Sequence, residues 1–88
     1  MKLKYNFVTN EVADKVVAVA VGDDMSKFNG FIKMNETGAQ IFKLLQEETT
    51  IETVIDEMAK LYPEETLDTV KETVEGFVNE LIKAEVVE

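Results

Sequence analysis

The stretch Phe31-Ile32-Lys33-Met34-Asn35-Glu36-Thr37-Gly38-Ala39-Gln40-Ile41-Phe42 decides the fold. Phe31 to Met34 reads as a short strand that follows a turn signal. Asn35 then suits a helix N-cap, with the Glu36 charge in the first turn where the helix dipole favours it. A helix over 36–46 carries Ala39, Ile41, Phe42, Leu44 and Leu45, an apolar set wide enough for a largely buried element.

Upstream, Asn29-Gly30 is a turn signal, because both residues tolerate positive φ. Across it, Met25 to Phe28 is placed to pair with Phe31 to Met34. Gly22-Asp23-Asp24 ends a second strand drawn from Val12 to Val21, rich in β-branched residues. One face of that strand carries Val17, Val19 and Val21, the other Val16, Ala18 and Ala20. The small alanines imply that something approaches closely on their side. Tyr5 to Val8 reads as the first strand, with Asn10-Glu11 as its turn or a bulge.

Downstream, Thr49-Thr50-Ile51-Glu52 fits a capping box with Thr49 as the cap and Glu52 reaching back. Ile51, Val54, Ile55, Met58, Leu61 and Tyr62 form the stripe of a second helix, which Pro63 stops. Glu64, Glu65 and Asp68 put negative charge at the start of a third helix, and Lys83 sits in its last turn. Its stripe is Leu67, Val70, Val74, Phe77, Val78, Leu81 and Ile82. Val86-Val87 is apolar and is expected to fold back onto the body. Three strands followed by three helices predict an α+β layer, a small antiparallel three-stranded sheet with helices on one face, in a winged-helix-like order. The 88 residues suffice for a single domain, 1–88.

Composition excludes several classes of function. There is no Cys and no His, so thiol nucleophiles, thiolate metal sites and imidazole acid–base chemistry are absent. Nine lysines and no arginine face eighteen acidic residues, a net charge of −9. Such a surface repels phosphate backbones, and without arginine it lacks the bidentate reader of guanine. No nucleic-acid partner is expected, and an anionic membrane is disfavoured for the same reason. No apolar run reaches the roughly 18–20 residues that span a bilayer, and no signal-peptide pattern follows Met1. The expected location is the cytoplasm.

The acidic pairs Asp23-Asp24, Glu47-Glu48, Asp56-Glu57 and Glu64-Glu65 read as solvated surface. None sits among apolar residues that would tune it for acid–base work. Asp23-Asp24 lacks the alternating ligands of a calcium loop, and the glycines form no phosphate cradle. No catalytic residue, metal ligand or cofactor is assigned. The feature that can do something is the short strand from Phe31 to Met34. At a sheet boundary it offers free N–H and C=O groups to a partner strand, unless water or the charge of Lys33 simply guards that edge. Gly76, inside the third helix, is read chiefly as a close-packing point and secondarily as room for a bound chain. Phe42 and Phe77 stand at core spacing.

The run from Phe28 to Phe42 resembles the central signature of the pyrroloquinoline-quinone biosynthesis protein D (PqqD-like) family, where a small-residue turn, a short strand and an Asn lead into a Thr-Gly-Ala helix start. Thr50 to Tyr62 resembles the family's second helix. Val74, Phe77 and Leu81, with Val86 and Val87, resemble its third helix and tail. The likeness covers Val16 to Val87. Met34 stands for the usual Leu, Phe42 for a frequent Trp, and Thr73 where an Asp is common.

The resemblance implies a non-catalytic peptide chaperone, a recognition element for ribosomally made precursor peptides in natural-product biosynthesis. The precursor's leader is implied to add as a strand beside the third strand and to pack against helix three. It would thereby be presented to a modifying enzyme, often a radical S-adenosylmethionine enzyme. The implied peptide-binding residues are Phe31, Ile32, Lys33, Met34, Val70, Thr73, Val74 and Phe77. Lys27, Lys33 and Lys71 either meet acidic leader residues or are ordinary surface charge. The alternatives are a winged-helix nucleic-acid binder and a structural protein–protein interaction domain, and an open edge also permits self-association.

Overall fold

The computed structural model describes residues 1–28 and 30–88. The strands are β1 (Phe7–Val12), β2 (Lys15–Ala20) and β3 (Ile32–Met34), and the helices are α1 (Glu36–Leu44), α2 (Ile51–Leu61) and α3 (Leu67–Lys83). The sheet is antiparallel in the order β1-β2-β3, so the predicted α+β architecture is observed. On β2 the Val16, Ala18 and Ala20 face is buried, while Val17 and Val19 are half-buried. The alanines let α1 lie close against the sheet, where it packs on both β2 and β3. Ile41, Phe42 and Leu45 then meet Val54 and Met58 of α2 and Val74, Val78 and Leu81 of α3 in one core.

The strand boundaries differ from the sequence reading. β1 runs straight through Asn10-Glu11, and the hairpin turns at Ala13-Asp14, because Val12 pairs with Lys15. Ala13 takes φ 58°, a left-handed conformation for which its sequence gives no signal. Tyr5 lies before β1 and stacks on Phe28, with ring centroids 6.2 Å apart. Phe28 meets Phe7 edge-on at 5.6 Å, and Phe7 meets the buried Phe42 at 5.2 Å. This aromatic chain ties the first residues and the middle loop to the core.

Met25 to Phe28 does not pair with β3. Gly22–Ser26 forms a 3-10 helix instead. Asp24 N–H donates to the Val21 carbonyl at 3.3 Å, and the N–H groups of Lys27 and Phe28 donate to the Asp24 carbonyl at 3.0 and 3.1 Å. The Asp24 carboxylate accepts the Asn6 N–H at 2.7 Å, which pins the loop beside β1 rather than beside β3. The expected Asn29-Gly30 turn lies in part outside the described residues; Gly30 itself takes φ 94°, open to glycine at no steric cost.

Helix ends also shift. Asn35 caps α1 as predicted, its Oδ1 accepting the Gly38 N–H at 2.8 Å. α1 stops at Leu44 rather than Gln46, and the Leu45 carbonyl accepts the Leu3 N–H at 2.9 Å. Thr50, not Thr49, caps α2, through a bond from the Thr53 N–H at 3.1 Å. Thr49 is engaged elsewhere, donating its N–H to the Met1 carbonyl at 2.9 Å. Thr66 caps α3 in the same way, accepting the Thr69 N–H at 3.2 Å.

After α3, Glu85 takes φ 61°. The Val86 N–H reaches back to the Leu81 carbonyl and the Glu85 N–H to that of Ile82, which reverses the chain. Val86 and Val87 fold back into the core as expected, and Val87 bridges Leu3.

Gly76 is not a packing point. It is exposed, and a methyl group placed on it would meet nothing within 4 Å. The close approach of α3 to α1 occurs at Gly38 instead. Because a glycine inside a helix loses more chain entropy than alanine, Gly76→Ala is expected to raise the unfolding free energy by about 0.5–1 kcal/mol. A urea melt followed by circular dichroism measures this. The same assay separates core from surface on β3. Met34 is 5% exposed and Phe31 62%. Met34→Ala is expected to lose about 2–5 kcal/mol, whereas Phe31→Ser stays within about 0.5 kcal/mol of the parent.

Candidate functional site

β3 uses one flank only. Its register with β2 pairs Met34 with Val16, Lys33 with Val17 and Ile32 with Ala18. Among the described residues no other backbone or side-chain hydrogen bond reaches Phe31–Met34. The second flank faces α3 across a gap. No Cα of α3 comes within 8 Å of a Cα of β3.

A groove of about 500 Å³ occupies this gap. Phe31 to Asn35 form one wall and Phe77, Glu80, Leu81 and Ala84 the other, with Phe28 at one end. On α3, Thr73, Phe77, Glu80 and Ala84 recur at helical spacing along one face. Val70, Val74, Val78 and Leu81 occupy the neighbouring core face, so one helix closes the core and borders the groove. A second cleft of about 380 Å³ continues past Asn35, which borders both. Its floor is Met58, Val70 and Val74, and Tyr62, Glu64, Glu65, Thr69 and Thr73 stand around it.

The eight residues singled out from the sequence therefore divide between two adjoining depressions. Phe31, Ile32, Lys33, Met34 and Phe77 line the first, and Val70, Thr73 and Val74 the second. They also divide by depth. Phe31, Lys33 and Thr73 are exposed, and Ile32 and Phe77 are half-buried. Met34, Val70 and Val74 are buried, Val74 completely, and serve as floor.

Sequence reasoning missed Phe28, Asn35, Glu80 and Ala84. Glu80 and Ala84 could have been found by extending the Phe77 face by three and seven residues. Phe28 is held at the groove by its stacking on Tyr5, a contact no local pattern announces.

Gly38 stands against the Phe77 ring. It is buried in the first turn of α1, and a methyl group there would lie 2.8 Å from Cε1 and 3.2 Å from Cδ1 of Phe77. The ring of Phe77 rests directly on the glycine.

Charge is unevenly distributed. Lys33 and Glu80 balance each other around the first groove, while the second has Glu64 and Glu65 and no lysine in its lining. Lys27 lies 3.6 Å from Asp24, and neither it nor Lys71 borders either depression. Among the described residues no three acidic side chains converge as a metal site requires, and no helix is long and apolar enough to cross a membrane. The arrangement offers main-chain donors and acceptors along an open sheet edge, beside an apolar trench that can bury alternate side chains of an extended segment.

Curated proteins gave no match. The solved structure of TbiB1 in complex with the TbiA(beta) leader peptide shares the fold, with a TM-score of 0.73 and 23% sequence identity. The alignment covers 100% of this chain and 95% of that one. The family model described as coenzyme PQQ synthesis protein D (PqqD) matches residues 9–87, from within β1 to the returning tail. The strand, capped helix start and third helix that suggested this family from the sequence lie inside the matched span, and the chain belongs to the PqqD family.

Proposed function

We propose that this protein is a non-catalytic adaptor that binds the leader of a ribosomally made precursor peptide and presents it to a modifying enzyme. The observation that carries the reading is the open flank of β3 beside the groove under α3. A strand added to β3 lies about 4.8 Å from it. The groove of about 500 Å³ between β3 and α3 is the space that strand would enter. Phe31, Ile32 and Lys33 supply the pairing edge, and alternate leader side chains enter between Ile32 and Phe77 over the floor of Met34. Thr73, with Val70 and Val74 beneath it, receives the segment that continues past Asn35.

Family membership supports the reading, as does the fold shared with TbiB1, which was solved with a leader peptide bound. The partner enzyme is of the class that tailors such precursors, a radical S-adenosylmethionine enzyme for example, and the setting is the cytoplasm. The net charge of −9 and the absence of arginine argue against the nucleic-acid alternative.

The test is an NMR titration of the labelled protein with the leader part of a short precursor-like reading frame adjacent to its gene. Amide shifts are expected at Phe31–Met34 and along Thr73–Ala84. Phe31→Ser is expected to weaken binding by about tenfold, some 1.4 kcal/mol. Shifts gathered on β1, or none at saturating peptide, would sink the proposal.

A further inference from the structure

The glycine at position 38 lacks the usual reasons for a glycine. Its φ is not positive, and in a helix it is less favourable than alanine by about 1 kcal/mol. What distinguishes the position is the ring above it. A Cβ would sit 2.8 Å from Phe77 Cε1, closer than real side chains approach, and 3.3 Å from the Asn35 Oδ1 that caps the helix. Phe77 is only half-buried. Phe77 follows Val74 along α3 and precedes Val78 and Leu81, which are 0%, 1% and 2% exposed and belong to the core. Phe77 itself lines the groove of about 500 Å³. A ring displaced by a side chain at position 38 has that groove as the open space beside it.

We infer that Gly38 is a positioning residue for peptide recognition: by seating the Phe77 ring it holds the groove between β3 and α3 at its working width. This rests on the groove being the peptide site. The bare α-carbon acts as a recess for one edge of the ring, and the ring shares the apolar lining of the groove with Ile32. Any side chain at position 38 turns that lining into a plug. Specificity follows from the same geometry, because the recess fixes how large a leader side chain fits between Phe77 and Ile32.

A double-mutant cycle tests the inference. The probe is the tightest-binding dodecapeptide selected on the parent protein from a random display library. Gly38→Ala is expected to weaken its binding by about tenfold, with a melting temperature at or above that of the parent. In a Phe77→Leu background, whose shorter side chain lacks Cε1, the same substitution is expected to change affinity by less than about twofold. Nuclear Overhauser contacts provide a reading that needs no ligand. In the parent the Phe77 ring contacts the Gly38 α-protons, and in Gly38→Ala it gains contacts to Ile32 and Ala84. Should Gly38→Ala fail to fold, the double variant carries the test and is expected to fold and bind like Phe77→Leu alone.

Unchanged affinity with unchanged ring contacts in Gly38→Ala would overturn the inference, as would equal losses in both backgrounds or a double variant that does not fold. A selected peptide that leaves the Phe31–Lys33 amides unshifted overturns the binding reading instead, while the ring contacts still decide whether Gly38 seats Phe77.

Discussion

The hydrogen bonds that Asp24 makes keep β3 available. Its carbonyl accepts from Lys27 and Phe28, its N–H donates to Val21, and its carboxylate holds the Asn6 N–H. Each such bond contributes on the order of 1 kcal/mol net. Together they wind residues 22–26 into a helical turn beside β1. Met25 to Phe28, had they been extended, would have paired with β3 as the outer member of a hairpin. The sheet would then have had four strands and no vacancy next to α3. The loop's local satisfaction is thus the condition on which the open flank, the groove and the proposed adaptor role all rest.

The rest of the site depends on α3 serving two faces at once. Val70, Val74, Val78 and Leu81 anchor the helix in the core, and the adjoining Phe77, Glu80 and Ala84 form the groove wall opposite β3. The arrangement also explains why the peptide-site residues suggested by the sequence are unequal in depth. Met34 and Val74 belong to the core by burial and to the site only as its floor, and a peptide meets Phe31, Ile32, Lys33, Thr73 and Phe77.

Much of the fold was legible where hydrophobic period and cap chemistry agree. The Val16-Ala18-Ala20 face, the Asn35 cap and the stripes of α2 and α3 were readable because each residue's partner is either local or the common core. Boundaries were lost where a distant segment claimed a backbone group. Thr49 gave up the cap of α2 to pair with Met1, and Leu45 ended α1 by binding Leu3. The turn at Ala13 and the reversal at Glu85 were invisible for another reason: neither is the glycine or asparagine that such φ values favour. The candidate site was legible as an edge strand and a helix, aided by family resemblance. Its width was not, because that is set by a ring and a glycine 39 positions apart meeting edge to α-carbon.

The aromatic chain has an optical consequence. The protein has no tryptophan and two tyrosines, so any near-ultraviolet emission beyond the tyrosine band must come from a guest molecule. Tyr5 stacks on Phe28, which ends the first groove, and Tyr62 borders the second cleft. Both tyrosines thus stand next to the depressions, one at a single ring's remove. Occupancy of either becomes readable as light, without a label on the protein.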